Sequence, residues 1–530
     1  MKGIAIGLSN NSKEILKRLK KTEFVNDIYV AGSSKENEKE NELIQVQKPR
    51  EILLKKWPEI DLIIFIGSIA ASIRIINSFL TSKDQDPGVI VIDNKCSKIV
   101  PLIVLHQSNT QNIACQIANL LGGEIIETNN SNDQSLLNLD AFGNQWGWKR
   151  SGKINDWSKL VIKQAKNEEI FCKQLSGNSL WKTSESAEII NQIDKKETEK
   201  PDSTFHVSIF ENHGTTWHPP VLWIGIGCER NTSKELIVNS LNNLLESVNL
   251  SQQSIAGFAT IDIKKDEKGI LELSEENNLP IKFFSKKDLS TIIVPNPSNV
   301  VQKEIGTPSV AEASCLLAAG EESKLLKEKI IFKNQSGAVT IAVAESKNQY
   351  NPTHGEIHII GSGPGDISFL TNNARKALSR CTVWIGYKMY LDLIKPLKRN
   401  DQVLIESKLT EEKERCSKAI KLAEEGIRVA LISSGESGFY GMAGLLLELL
   451  QKIKKEYRPY FEVHPGISSV QLAAAISGAP LMNAFCSVSL SDKLTPWPLI
   501  EKRIKGALMG DFVIALFNPQ SIERNCSLKV

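Results

Sequence analysis

The residues with the clearest capacity for chemistry are two glycine-rich turns in the last third of the chain. Residues 361–366 read GSGPGD, follow the apolar run IHII and precede a helix pattern. Residues 433–441 read SSGESGFYG and close the apolar run VALI. Glycines at the ends of parallel strands let a ligand approach the backbone, and two such turns at one sheet edge make a crevice for an adenine nucleoside. The first turn is not GxGxxG, because Pro364 holds its fourth position. A proline there stiffens the turn and removes a backbone donor, which disfavours a pyrophosphate cradle. Asp366 and Glu436 are carboxylates that could hold ribose hydroxyls or an amino group. The other reading of the same residues is two tight turns with capping acids.

A third turn, WIGIGCERNTS at 223–233, ends an apolar strand and opens a helix, with Thr232 or Ser233 as its cap. Its backbone N–H groups could take a carboxylate, or it is an ordinary capped turn. Cys228 is small and apolar enough for a core.

The elements that must position these turns alternate. Apolar strands at 3–8, 61–66, 88–93 and 99–105 lead into or lie between helix patterns at 13–19, 68–79 and 111–121. The alternation returns at 221–346 and again from 356, which predicts an α/β fold of several domains with mainly parallel sheets. Between about 129 and 220 it breaks down, and 190–204 has a linker's composition. That region nevertheless holds five of the nine tryptophans: Trp146, Trp148, Trp157, Trp181 and Trp217. It reads as an ordered connector packed on its neighbours, or as aromatics that stack on a flat ring. Residues 347–355 read as a short polar linker. The expected domains are therefore 1–128, a connector at 129–220, 221–346, the linker 347–355, and 356–530.

Composition narrows the partners. At 530 residues and a net charge of +3, with 24% charged and 41% hydrophobic residues, the chain has no basic belt for nucleic acid. No apolar run is long enough to span a membrane. The nine cysteines are scattered without a CxxC pair, so neither a disulfide framework nor a cysteine zinc site is expected. These features predict a cytoplasmic chain with no metal.

From 356 onward, IIGSGPGD, GYKMY (386–390), SSGESGFYGMAG (433–444), VHPGISS (463–469), SGAPL (477–481), SVSLSDKLTPW (487–497) and DFVIALFNPQS (511–521) fall in order. Together they resemble the tetrapyrrole (corrin/porphyrin) methylase family, and most specifically, through SLSDKLTPW and NPQSIER, its precorrin-3B C(17)-methyltransferases. Glu436 stands where the family usually has Asp. The resemblance implies a two-lobed fold that binds S-adenosyl-L-methionine through Pro364, Asp366, Gly435, Glu436, Tyr440, Gly441, Leu516 and Asn518. It puts Ser489, Ser491 and Thr495 near a tetrapyrrole, with Asp492 as the candidate acid or base. It also implies a homodimer built through this domain. The chain ends at Val530, so the second lobe is expected to be incomplete.

The first 346 residues resemble the cobalt-precorrin-5A hydrolase family, in FIGSIAASIRIINSFL (65–80), DPGVIVID (86–93), WIGIGCERNTS, ATIDIKKDEKGILEL (259–273) and GTPSVAEASCLLAAG (306–320). This family opens a lactone and releases a two-carbon aldehyde, which calls for an activated water and an oxyanion donor. The resemblance makes His106, Glu229 and Glu312 catalytic candidates and Thr232 and Ser233 substrate-binding ones; Asp262 and Lys264 also lie in the matching blocks. Where the family follows its histidine with a glycine-rich turn, this chain reads LHQSNTQN. The two resemblances imply a bifunctional enzyme of cobalamin synthesis acting on precorrin or cobalt-precorrin. A methylase domain that binds cofactor or macrocycle without turnover, or one that methylates another precorrin carbon, are the alternatives.

Overall fold

The computed structural model describes residues 2–31, 43–46, 48–81, 86–103, 110–126, 136–193, 201–211, 214–335, 337–492 and 495–518. They fall into two compact units, Met1–Gln134 and Ser135–Val530.

The first unit is a seven-stranded sheet in the order Leu43–Val46, Asp27–Ala31, Gly3–Gly7, Leu62–Ile66, Gly88–Ile92, Lys98–Ile103, Glu124–Ile125. Gly88–Ile92 and Lys98–Ile103 pair antiparallel; the other neighbours are parallel. Apolar side chains leave both faces of the central strands, as a sheet covered on both sides requires. Ile64, Ile66 and Ile90 meet helices Lys13–Lys20 and Thr110–Leu121. Ile63, Phe65 and Val91 face the other way, toward Pro49–Lys56 and Ile69–Ile76.

Among the described residues the second unit carries four sheets. Residues 149–218 form a five-stranded sheet from short strands: Ile190–Gln192, Ile170–Gln174, Thr204–Val207, Thr216–His218 and Lys149–Ser151. All five connector tryptophans are at most 2% exposed. They interlock with Phe142 and Phe205; Phe142 lies 5.6 Å from Trp217 and 5.1 Å from Trp181. That aromatic layer shares one continuous core with Ile357, Ile359, Val429 and Leu446. The tryptophans are thus packing residues, and none presents a ring to a ligand.

Residues 222–345 form a second five-stranded sheet: Ile281–Phe284, Ile255–Ile261, Leu222–Cys228, Gly337–Glu345, Lys324–Asn334. The first three strands run parallel and the last two pair antiparallel. The third sheet, Val403–Ser407, Val383–Tyr387, Arg428–Ser433, Glu356–Gly361, Tyr460–His464, is wholly parallel. A parallel pair, Phe485–Ser489 with Val513–Phe517, follows it. The polar run at 347–355 is built into the fold. Gln349 is buried, accepts from the Trp148 indole at 2.7 Å and donates to the carbonyls of Trp146 and Glu425, each at 2.7 Å.

Candidate active site

The two glycine turns end neighbouring strands, Glu356–Gly361 and Arg428–Ser433, and are bonded to each other. Gly363 N–H donates to the Gly435 carbonyl at 3.1 Å, and Gly435 N–H to the Gly363 carbonyl at 2.9 Å. A third turn, after Tyr460–His464, closes on them. A Cβ at Gly361 would stand 2.5 Å from Gly466 N, and one at Gly466 would stand 2.0 Å from the Gly435 carbonyl oxygen. Those glycines exist so that three backbones can touch. Gly365, at φ +133°, differs: a Cβ there would meet nothing within 4 Å among the described residues, so this turn is open to a ligand.

The carboxylates of these turns serve the turns first. Asp366 caps the short helix Ile367–Phe369 by accepting from Ser368 N–H at 2.7 Å, and that bond holds its carboxyl below the usual range. Glu436 accepts from Gly438 N–H at 2.8 Å. Each is thereby fixed in direction at the rim of the crevice.

Tyr440, in the left-handed region at φ +56°, joins the second glycine turn to the C-terminal strand pair. Its hydroxyl donates to the Ser487 carbonyl at 3.2 Å and accepts from the Ser487 hydroxyl at 2.9 Å. Phe439 and Tyr440 pack on Phe517, at 5.3 and 5.1 Å between ring centres. Leu516 is exposed on the same strand. Asn518 donates to the Ser489 hydroxyl at 3.1 Å, and Ser491 N–H donates to that hydroxyl at 3.3 Å. Thr495 is half-buried ahead of helix Trp497–Met509, and Asp492 is exposed. Thus Pro364, Asp366, Gly435, Glu436, Tyr440, Gly441, Leu516 and Asn518 come from three separate stretches that these bonds and ring contacts link. A cavity of about 160 Å³ opens beside them, lined by Tyr387, Tyr390, Arg415, Ser433, Tyr440 and Gly441. It shares Tyr387 and Leu409 with a wider groove of about 760 Å³ whose polar lining includes Lys388, Glu406 and Lys408.

The candidates between 222 and 345 are arranged otherwise. Ser233 caps helix Lys234–Ser247 by accepting from Leu236 N–H at 3.3 Å. Thr232 is buried and donates to the Glu229 carbonyl at 2.9 Å, which folds the turn back on itself. The Glu229 side chain is exposed, while its N–H donates to the Ala338 carbonyl at 2.9 Å. Gly225 makes room for helix Ala311–Ala319, since a Cβ there would lie 1.9 Å from the Ala311 carbonyl oxygen, and Gly227 makes room for the Thr340 hydroxyl, 2.6 Å from a Cβ placed there. Glu312, on that helix, is fully buried. One of its oxygens accepts from Lys329 N–H at 3.1 Å and from the Asn296 amide at 3.0 Å; the other has no hydrogen-bond partner among the described residues. Lys264 is buried against Glu267 at 3.1 Å. Burial pushes the Cys228 thiol up to about 11, so it is no nucleophile at neutral pH. His106 lies outside the described residues.

Residues 356–528 match the model of the Tetrapyrrole (Corrin/Porphyrin) Methylases. A probable cobalt-factor III C(17)-methyltransferase of Salmonella typhimurium is 48% identical over 165 residues, 31% of this chain and 67% of that protein. The chain belongs to the tetrapyrrole methylase family. This family uses S-adenosylmethionine as methyl donor. The methylase domain is also 48% identical over 172 residues to a cobalt-factor III methyltransferase of Priestia megaterium, 32% of each chain. The chain therefore spans about a third to two thirds of the methyltransferases it matches. It is a fusion: residues 51–132 and 222–344 match the Cobalamin synthesis G N-terminal and C-terminus models. A cobalt-precorrin-5A hydrolase of Priestia megaterium is 27% identical over 365 residues, 64% of this chain and 93% of that protein. No helix among the described residues is long and apolar enough to cross a membrane.

Reading the sequence did not single out the histidines beside the methylase crevice. His358 and His464 stand on paired strands of the methylase sheet, with Glu462 at 3.8–3.9 Å from their ring nitrogens. The available signal was the alternation E-x-H in one strand and Y-x-E-x-H in the other.

Proposed function

We propose that the chain is a bifunctional enzyme of corrin ring synthesis in the cytoplasm. Its methylase domain adds a methyl group from S-adenosylmethionine to ring carbon 17 of a precorrin-3B-type macrocycle, with ring contraction. Its cobalamin synthesis G domains open the lactone of cobalt-precorrin-5A and release a two-carbon aldehyde. The observation that carries the methylase reading is the crevice where the bonded glycine turns meet Tyr440, Leu516 and Asn518. The residues fit the cofactor: Gly365 leaves space for a nucleoside, the aromatic rings offer it flat faces, and Asn518 and the rim carboxylates offer polar contacts.

The cofactor supplies an electrophilic methyl group. The chain has to align it with the ring carbon and keep water out, and positioning of this kind can supply about 7–11 kcal/mol of a barrier. Ser489, Ser491 and Thr495 then lie toward the macrocycle, with Asp492 as the candidate proton carrier. In the hydrolase half, water adds to the lactone carbonyl and the acyl–oxygen bond breaks; the freed alcohol then gives up its proton as the carbon–carbon bond joining its carbon to the ring breaks, that electron pair staying with the ring as the aldehyde leaves. In this reading exposed Glu229 takes the proton from that water, and the turn at Thr232 and Ser233 holds a substrate carboxylate. Glu312, being buried, acts through Asn296 as a positioning residue.

The reading includes a homodimer formed through the methylase domain, with exposed Ile476, Met482 and Met509 as the apolar side chains such an interface would cover. Sedimentation at two protein concentrations tests it. Calorimetry with S-adenosylmethionine and its demethylated product tests the site. One equivalent should bind, and Gly435→Val should abolish binding, because φ +60° is a conformation that a β-branched residue resists. Absence of heat with folded native protein would overturn the methylase assignment and leave the hydrolase assignment standing.

A further inference from the structure

Strand Glu356–Gly361 is interior to the methylase sheet, and Tyr460–His464 is the edge strand beside it. The pair is parallel, with His358 opposite Glu462 and Ile360 opposite His464. Side chains alternate across a strand, so Glu356, His358, Glu462 and His464 all leave the same face. His358 Nε2 lies 2.8 Å from a Glu356 carboxylate oxygen. Arg380 at 3.1 Å and Arg428 at 3.2 Å hold that carboxylate too. Glu356 thus fixes the Nε2 side of the His358 ring, and its Nδ1 faces His464 Nε2, 2.9 Å away. A Glu462 oxygen reaches in from the edge strand, 3.9 Å from His358 Nδ1 and 3.8 Å from His464 Nε2. The two rings are buried and Glu462 is half exposed, so the group opens to solvent on one side.

We propose that His358, His464 and Glu462 form a binding site for a divalent transition-metal ion of the zinc class. The donor set is two imidazoles and one carboxylate, the borderline ligands that Zn²⁺ accepts, with a fourth position left to water. Ligand atoms about 2.0–2.1 Å from a tetrahedral ion stand about 3.3 Å apart. The observed separations of 2.9, 3.8 and 3.9 Å bracket that value, so shifts of about half an ångström close the site. Glu356 would serve as the outer carboxylate that fixes a ligating histidine's tautomer. A hydrogen bond between the rings accounts for the 2.9 Å contact, but not for the third donor converging on it. Arg380 and Arg428 offset the negative charge of Glu356, and the Tyr460 hydroxyl lies 3.4 Å from Glu462. The ion would pin the edge strand immediately before Pro465 and Gly466, where the third turn closes on the glycine loops. This proposal is independent of the methylase reading.

The test uses the full chain, stripped with a chelator and titrated with Zn²⁺ or Co²⁺. We expect one equivalent of metal, a Co²⁺ spectrum of tetrahedral intensity without a thiolate charge-transfer band, and a melting temperature raised by Zn²⁺. Glu462→Gln should weaken binding by at least the roughly tenfold that loss of an outer-shell partner costs. His464→Ala should abolish the Co²⁺ spectrum. Equal binding by native protein and both variants, or a thiolate band in the native protein, would overturn the proposal. Should a variant fail to fold, X-ray absorption of the zinc-loaded native protein decides. Two imidazole rings in the metal's shell support the site; sulfur, or oxygen alone, refutes it. S-adenosylmethionine calorimetry on the same samples shows whether the cofactor site stands or falls separately.

Discussion

The sheet at 222–345 and the methylase sheet both contain an apolar strand that runs into glycines, and they use those glycines in opposite ways. In the first, the chain itself fills the space: helix Ala311–Ala319 lies on Gly225, and the Thr340 side chain of the paired strand closes on Gly227. In the methylase sheet, Gly361, Gly435 and Gly466 pack backbone on backbone, and the crevice they frame stays open at Gly365. The two sheets also bury themselves differently. The first shares one core with its helix Lys234–Ser247, whereas the methylase sheet shares a core with the tryptophan layer of 135–218. A glycine turn therefore signals close approach, and what approaches is settled by the neighbouring element. The same holds for the acids: Glu312 is sealed in and Glu436 stands at a rim.

The largest expected effect tests the shared core. Trp217→Ala removes a fully buried indole whose N–H donates to the Leu139 carbonyl at 3.1 Å. It should cost about 3–5 kcal/mol. Calorimetry should show the methylase transition moving with it; if that transition stays in place, the two sheets do not share a core in solution. Next, Gly225→Leu forces a side chain into the Ala311 carbonyl and should cost about 3 kcal/mol. Denaturant melts should report that loss while calorimetric binding of S-adenosylmethionine persists; loss of both would break the contrast between the glycine sites.

A smaller effect follows from acid. Glu356 is held down at about 2 from an ordinary 4.5 by its bond to His358 and by Arg428 and Arg380, against the cost of burial. A depressed carboxyl stabilises the fold above its unfolded value, and that stabilisation is lost as pH falls from about 5 to 2. Solvent that reaches the group limits the loss to about 2 kcal/mol. Glu356→Gln should flatten this part of the stability–pH curve, read by denaturant melts at several pH values; an unchanged slope would refute the assignment. The smallest change in stability is expected of Gly365→Ala, about 1 kcal/mol for its backbone conformation. Its Cβ enters open space, so cofactor affinity should fall far more than stability. Equal binding by the variant would mean that the crevice does not take its ligand at this turn.

Much was legible in the chain itself. The αβ alternation, the strand ends that carry glycine, and the caps at Ser233 and Asp366 are local, and local chemistry writes them into adjacent residues. So are the ordered motifs from 361 to 521 that give the family. The sheet at 149–218 was not legible as a sheet, because its strands are three to five residues long and too short to show a period. Its tryptophans announced order but not their partner, since a buried ring and a stacking ring have the same sequence. Residues 347–355 look like a spacer by composition, yet Gln349 bonds four groups from distant parts of the chain, on Trp146, Trp148, Asn178 and Glu425. Sequence alone determined which residues can turn, cap and carry charge. Tertiary structure decided which glycine meets a helix and which an open crevice, which glutamate is sealed, and that His358 faces His464 across 106 positions. Such pairings depend on strand register and on which face is covered, and both are set by contacts between segments far apart in the chain.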